Sequence, residues 1–524
     1  MRLVVPEQMR EMDRRTIEEI GVPGVVLMER AALGATEFLV ERFDGGELRR
    51  VGFLCGGGNN GGDGVAMARM LDNRGYETEL VFLSATDAID GDAGKNLEIA
   101  ENLGLDYTDL GDREHEEVVE ELAALPFCEV WVDALLGTGL TGEVRGRYVA
   151  AISFLNGRDS VFAVDIPSGI NGSDGQIMGT AVEADATATF GGAKVGQALY
   201  PGRGHCGDLE VVDIGIPDTV RESVGFDAEW LDGAWAQRRI APRPEVYHKG
   251  ASGRVLAVAG SHEKTGAAIL VARGALAGGA GLITVGTTPQ VVPRIAPAVN
   301  EVMAAELVSA EEDDEVSSRL ADFLETVDTV AVGPGLETHD GAAEAVGTIL
   351  ESEVEHAVFD ADALNLVAQQ FGDALLSRFA GDSLAVVTPH PGEMARLCDR
   401  TVDEILGDPV GCASDYADKT GAIVVLKMAA TVIASPEGRV AINRSGNPGM
   451  ATGGMGDVLT GIVAARITES TGDAFEDVCL AVWAHGRAGD LAAADRGERS
   501  LGAVELAGRL GDVWSAIEET STDR

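Results

Sequence analysis

Short apolar runs separated by helix-length stretches recur along this chain in two series, and that alternation restricts it to an α/β architecture. The first series is VGFLC (51–55), ELVFL (79–83), VWVDAL (130–135), VFAVD (161–165) and LEVVD (209–213). Buried parallel strands read as nearly continuous apolar runs, with helices covering both faces of their sheet. Residues 1–50 read as helical, with a turn at Gly21-Val22-Pro23-Gly24. The alternation lapses between about Pro217 and Arg243 and ends in Ala241-Pro242-Arg243-Pro244, a cluster that disfavours helix. A second series follows: RVLAVAG (254–260), LITVG (282–286), TVAVG (329–333), AVFDA (357–361), LAVVT (384–388) and AIVVLK (422–427). TVIAS (431–435) and RVAIN (439–443) form a predicted hairpin across Pro436-Glu437-Gly438, and the chain from Gly456 onward reads as helical. The acidic run EEDDE (311–315) reads as a solvated loop or a helix start. Two α/β domains are predicted, over residues 1–222 and 230–518.

Composition narrows the partners. Asp and Glu number 86 against 40 Lys and Arg, a formal net charge of −46, while 45% hydrophobic residues exclude a disordered chain. Such a surface repels phosphate backbones and anionic lipid, so neither nucleic acid nor a membrane surface is expected as a partner. Lysine occurs only at 95, 194, 249, 264, 419 and 427. Dense acidic charge is tolerable where salt screens it, which reads as halophilic. The six cysteines show no CxxC pair, as in a reduced compartment. The start MRLVVPEQMREMDRRT has no apolar stretch of signal-peptide length, and the small-residue stretch 271–285 is too short and polar to span a membrane. A cytoplasmic protein is expected, and a homo-oligomer.

Chemistry concentrates where strands end. VGFLC runs into Gly56-Gly57-Gly58-Asn59-Asn60-Gly61-Gly62-Asp63-Gly64. This loop satisfies GxGxxG, yet the dinucleotide reading expects an acidic residue at the end of the next strand; here Ser84 follows it and Asp87 is the nearest acid beyond. VWVDALLGTGLTGE (130–143) puts Asp133 at a strand end, and VDIPSGING (164–172) does the same with Asp165 and Ser168. Ligand crevices in parallel sheets lie beyond the carboxyl ends of the strands, so Asn60, Asp133, Asp165 and Ser168 should converge, as oxygen ligands suited to a hard cation. Each aspartate could instead simply cap the segment after it.

Through these motifs, residues 5–220 resemble the NAD(P)H-hydrate epimerases, which implies a Rossmann-like three-layer domain. The resemblance implies that Asn59, Asn60, Gly61, Gly62 and Asp63, with Gly137, Thr138, Gly139, Leu140, Thr141, Gly142 and Glu143, bind the hydrated nicotinamide nucleotide. It places K+ on Asn60, Asp133 and Ser168, and makes Asp165 the catalytic carboxylate in inverting the hydroxyl-bearing C6. A buried carboxylate can serve there as acid or base if its pKa rises towards neutrality.

The second domain carries Asn447-Pro448-Gly449-Met450-Ala451-Thr452-Gly453-Gly454-Met455-Gly456-Asp457. A glycine-rich loop entering a helix offers backbone N–H groups to an anion, and Asp457 is placed to take a proton from a hydroxyl attacking a phosphate. As an alternative, Asp457 could cap a glycine-rich turn. Gly333-Pro334-Gly335-Leu336, Asp360-Ala361-Asp362-Ala363-Leu364-Asn365 and His390-Pro391-Gly392-Glu393 lie at neighbouring strand ends.

HPGE, DADALN and NPGMATGGMGDVLTG make residues 230–515 resemble the ADP-dependent NAD(P)H-hydrate dehydratases, with a ribokinase-like fold. The resemblance implies hydrate contacts at Ala267, Gly335, His390 and Asp457, with Asp457 catalytic. It implies ADP contacts at Lys427, Met428, Ala429, Ala430, Thr431 and Gly456, and Mg2+ as cofactor. Met428 stands where that family usually has glycine. The two resemblances together imply repair of hydrated NADH and NADPH: epimerisation of the R and S hydrates, then dehydration of the S form at the expense of ADP. A vitamin kinase of the same fold, or a silent nucleotide-binding first domain, are the competing readings.

Overall fold

A computed structural model describes residues 1–240, 248, 250, 252–379, 383–469 and 472–522, with 374, 375 and 519–522 described by backbone alone. The helix-disfavouring cluster Ala241–Pro244 lies outside the described residues. The chain divides into two compact units, Arg2–Glu229 and, with Met1, Trp230–Arg524.

In the first unit, seven parallel strands lie in the order Tyr107–Asp109, Glu77–Phe82, Arg50–Cys55, Val130–Ala134, Val161–Val164, Ala186–Phe190 and Asp208–Val212. Alternation along a strand sends neighbouring side chains to opposite faces. Phe53 and Val132 pack with Leu27, Ala31 and Val65 of the helices Gly24–Phe43 and Asn59–Asn73. Leu54 and Trp131 pack with Ala151 and Leu155 of the helix Arg147–Leu155. The chain goes from Arg50–Cys55 outward through Glu77–Phe82 and Tyr107–Asp109, then returns to Val130–Ala134 on the other side. That reversal is a switch point, where a crevice opens beyond the strand ends.

Residues 1–50 are not wholly helical. Arg2–Val4 is a strand, pairing in parallel with Ala193–Lys194 in register Val4↔Lys194. The helix Pro6–Arg15 follows, with proline in its first turn, where a missing N–H costs nothing. Part of the 217–243 stretch is also structured, as the helices Asp218–Val224 and Gly233–Gln237.

In the second unit, seven parallel strands run in the order Met303–Glu306, Leu282–Thr287, Arg254–Val258, Thr329–Val332, His356–Phe359, Leu384–Val387 and Ile423–Leu426. The antiparallel pair Val432–Ala434 and Val440–Asn443 extends it, the hairpin expected across 436–438. The switch point lies between Arg254–Val258 and Thr329–Val332. Helices Thr265–Gly278 and Met455–Thr468 share the core there through Val271, Ala275, Val458 and Ile462. The acidic run is a helix start: Asp313 accepts from the N–H groups of Glu315 and Val316 ahead of Asp314–Leu324. Both units are thus α/β, as the strand spacing predicts. All six cysteines are free, and no helix among the described residues is long and apolar enough to cross a membrane.

Candidate active sites

In the first unit the strand Arg50–Cys55 ends in a loop that turns into the helix Asn59–Asn73 within a few residues. The turn is tight enough that a Cβ on Gly61 would stand 1.9 Å from the Gly56 carbonyl oxygen, so only glycine fits. Beyond it opens a cavity of about 840 Å³. Asn59, Asn60, Asp63, the loop 137–143 and Asp165 line it, whereas Gly61, Gly62, Asp133 and Ser168 stand outside its lining.

Asp165 ends the strand Val161–Val164 in a left-handed conformation, φ 65°, which costs a non-glycine residue on the order of 1–3 kcal/mol. Its carboxylate is fixed from one side. Lys194 Nζ donates to Asp165 Oδ1 at 2.5 Å, and the Thr189 hydroxyl and Phe190 N–H approach the same oxygen at 3.3 Å. Gln197 Nε2 donates to the Asp165 backbone carbonyl at 2.8 Å. Lys194 is fully buried and also donates to Thr189 Oγ1 and the Phe190 carbonyl. Two further carboxylates share this field. Burial pushes Asp13 up to about 6, with Lys194 opposing and Asp165 reinforcing the shift. Burial also raises Asp63 well above the usual carboxylate range, reinforced by Asp165 and Asp13.

Beside the cavity, Asp133 is completely buried and burial raises it to about 6. It accepts from Ser168 Oγ at 2.6 Å, Ser168 N at 2.7 Å and Leu135 N at 3.2 Å. Neither side-chain polar atom of Asn60 has a hydrogen-bond partner among the described residues, although both are buried, and a Cβ on Gly137 would lie 3.3 Å from Asn60 Cβ.

In the second unit the loops after three strands meet the helix Met455–Thr468. Lys427 Nζ donates to Asp360 Oδ1 at 2.5 Å, and Thr460 Oγ1 donates to Asp360 Oδ2 at 2.7 Å. Gly456 of that helix faces the same pair, since a Cβ there would lie 3.4 Å from Lys427 Nζ and 3.9 Å from Asp360 Oδ2. Asp457 stands in the first turn of the helix, whose N-cap is Gly454, so it does not itself cap the turn. Burial raises Asp457 to about 6, with Asp360 adding to the shift and Lys427 and Lys264 opposing it. Lys264 Nζ reaches Asp362 at 3.3 Å, and Gly335 packs against Ala267 and Lys264. Gly335 thus lies beside Ala267 and Lys264, and Asp457 feels the Lys264 charge without an ion pair to it among the described residues. His390 caps the helix Pro391–Cys398, its Nδ1 accepting from Gly392 N at 3.0 Å. Its Nε2 lies 3.3 Å from Glu393, whose carboxyl is raised by burial against the pull of Lys427. In the segment 427–431, Thr431 Oγ1 donates to the Met428 carbonyl at 3.2 Å, and Lys427 N donates to the Pro389 carbonyl at 2.8 Å.

Sequence reasoning passed over Asp13 and Lys194. Both carried a signal. Asp13 continues the buried stripe Met9, Met12 and Thr16 of its helix, where an acid is out of place. Lys194 is one of six lysines, and it sits inside the small and apolar run 191–196.

Comparison with known proteins divides the chain in the same way. The family described as "NAD(P)H-hydrate dehydratase" matches residues 255–510, and "YjeF-related protein N-terminus" matches residues 24–196. The chain is 39% identical to the bifunctional NAD(P)H-hydrate repair enzyme of Moorella thermoacetica, over 99% of this chain and 98% of that one. It is 36% identical to the like-named protein of Thermofilum pendens, over 99% and 97% of the two chains. Among solved structures, the ADP/ATP-dependent NAD(P)H-hydrate dehydratase of Bacillus subtilis is 28% identical, covering 56% of this chain and 100% of that one with a TM-score of 0.49.

Proposed function

This chain belongs to the bifunctional NAD(P)H-hydrate repair enzymes, and on that premise we propose how its residues divide the work. Residues 1–222 interconvert the R and S hydrates, and residues 230–518 dehydrate the S form to NAD(P)H with ADP as phosphoryl donor. The observation that carries the first assignment is Asp165, held in a strained conformation against Lys194 at the wall of a cavity that both glycine loops line. The substrate nucleotide lies along Asn59–Asp63 and 137–143, with C6 of its ring towards Asp165.

For K+, the residues present fit. Asn60 offers a buried amide without a partner, and Asp133 with Ser168 offers a buried carboxylate and a hydroxyl. Asn60, Asp133 and Ser168 would hold the ion, whose charge would offset the buried Asp133 carboxylate. Mg2+ is bound through one or two carboxylates plus phosphate oxygens, so in the second unit it would come with the phosphates of the nucleotide.

In the second unit Asp457 accepts the proton of the hydrate hydroxyl as that oxygen attacks the terminal phosphorus of ADP, releasing AMP. Hydroxide leaves poorly and phosphate leaves well. N1 of the ring then expels phosphate, and loss of a C5 proton restores the reduced nicotinamide. Ala267, Gly335 and His390 contact the hydrate, and 427–431 with Gly456 contact the nucleotide. Met428 brings a side chain into that segment. A cytoplasmic, salt-rich setting and a homo-oligomer complete the reading, and rest on composition and resemblance.

The test is incubation of the full chain with mixed hydrate and ADP, following recovery of reduced-nicotinamide absorbance. Complete conversion at an enzymatic rate is expected. No recovery from well-folded protein rejects the reading, and rapid recovery of one fraction followed by spontaneous conversion of the rest rejects its epimerase half.

A further inference from the structure

The cavity of the first unit is lined by the carboxyls of Asp13, Asp63, Asp92, Glu143 and Asp165 and by the cations Arg10 and Lys194, and of these Asp13, Asp63, Asp165 and Lys194 feel one another's charge. They come from four separate elements, namely the helix Pro6–Arg15, the helix Asn59–Asn73, the end of Val161–Val164 and the short strand Ala193–Lys194. One cation cannot balance three anions in a partly enclosed site. Lys194 makes its ion pair with Asp165 and turns its other donors to Thr189 and Phe190. Asp13 has no ion pair among the described residues, and its Oδ1 is buried without a hydrogen-bond partner. A lone carboxyl in that position keeps its proton more readily than one paired with an ammonium. The cavity therefore holds one carboxyl paired with an ammonium and one with no ion pair among the described residues, two unlike carboxyls of the kind that acid–base chemistry at a single carbon needs.

We propose that Asp13 is a second catalytic carboxyl of the epimerisation, delivering a proton to the C6 hydroxyl while Asp165 serves the opposite face. The proposal rests on the epimerase reading above. Protonated Asp13 gives its proton to the leaving hydroxyl. The C6–O bond breaks with both electrons going to oxygen, the N1 lone pair forms a C6=N1 bond, and one water is released. A solvent water then bonds to C6 from the other face, the C6=N1 π pair returns to N1, and the surplus proton passes to Asp165. No oxidation occurs. The two carboxyls end with their protonation states exchanged, so the site is set for the reverse inversion, with Asp165 as acid and Asp13 as base. The hydroxyl oxygen of the product comes from solvent.

Separated hydrate epimers and the full chain test this in water enriched in oxygen-18. Wild type should invert C6 with uptake of the label in step with inversion. Asp13→Asn keeps the shape of the side chain and removes the acid, so kcat for epimerisation should fall by roughly 10²–10⁴-fold with little change in KM. Dehydration of the S hydrate by the same chain is the internal control, and should be unchanged along with the melting temperature. Epimerisation by Asp13→Asn within about threefold of wild type, where a general acid supplies at least about 10², overturns the proposal. So does enzymatic inversion by wild type without label uptake, a result that needs no variant to fold. Failure of wild type to interconvert the epimers at all would instead reject the epimerase reading.

Discussion

Half of the six lysines sit on a carboxylate at one of the two sites: Lys194 on Asp165, Lys264 on Asp362 and Lys427 on Asp360. A chain that otherwise uses arginine keeps lysine where a compact point charge is needed against an acid. At these sites Asp13, Asp63 and Asp457 have no ion pair among the described residues, and burial raises the pKa of each. The Asp457 pKa rises from about 4 in the unfolded chain to about 6 in the folded one, chiefly through burial. A proton is thus held more tightly after folding. That contribution to stability is full below about pH 4 and is lost as the pH rises through about 6, amounting to about 1–3 kcal/mol. A general base needs the opposite state. We therefore expect kcat/KM for dehydration to rise with pH and level off above about 6. Asp457→Asn should be roughly 10²–10⁴-fold slower, and slightly more stable than wild type at neutral pH. A plateau already reached near pH 4 would remove Asp457 from the base role. Asp165→Ala, by contrast, should abolish accelerated epimerisation and leave dehydration of the S hydrate intact; loss of both activities would contradict separate sites. Asp165 was legible because it directly follows an apolar strand, and Asp457 because it follows a glycine-rich loop into a helix. Asp13 was missed because the charged groups it faces come from elements far away in the chain, so its place on the apolar stripe of its own helix could not name them.

Whole strands were legible where their side chains are large and apolar, as in VGFLC and AIVVLK. Ala186–Phe190 escaped because its sequence, ATATF, is mostly small and includes two threonines, and its burial comes from position in the sheet rather than from hydrophobicity. Arg2–Val4 and Tyr107–Asp109 are three residues each, too short for any period to show. The first of these matters for function, since pairing with it fixes the backbone of Lys194. The glycine loops were legible for a steric reason that can be tested at the level of the element. The entry of Asn59–Asn73 brings Gly61 onto the Gly56 carbonyl, leaving no room for a methyl group. Gly61→Ala should force that loop and helix apart, destabilise the first unit by about 1–3 kcal/mol and reduce epimerisation severely. Dehydration of the S hydrate should persist. Unchanged epimerisation in a folded Gly61→Ala chain would show that the loop does not need this close approach.

The whole molecule carries −46 formal charges, and its buried machinery works inside that field. Most ion pairs of the first helices are exposed, such as those of Arg14 with Glu11 and Glu18, and each contributes little once salt screens it. Repulsion among the surplus acids is the larger whole-chain effect. The Debye length falls from about 30 Å at 0.01 M to about 3 Å at 1 M, so molar salt confines that repulsion to nearest neighbours. The melting temperature should therefore rise between about 0.05 M and about 2 M salt, and should do so alike in KCl and NaCl, because screening depends on ionic strength and not on the identity of the cation. The K+ site proposed at Asn60, Asp133 and Ser168 should distinguish them. At equal, high ionic strength, epimerisation should be faster in KCl than in NaCl, while dehydration of the S hydrate shows little preference. This comparison separates a specific ion from a screening one within a single protein, since both activities share the same surface charge. A melting temperature unchanged across that salt range would defeat the salt-adapted reading of the composition. Equal epimerisation rates in the two salts would remove the reason for assigning K+ to Asn60, Asp133 and Ser168.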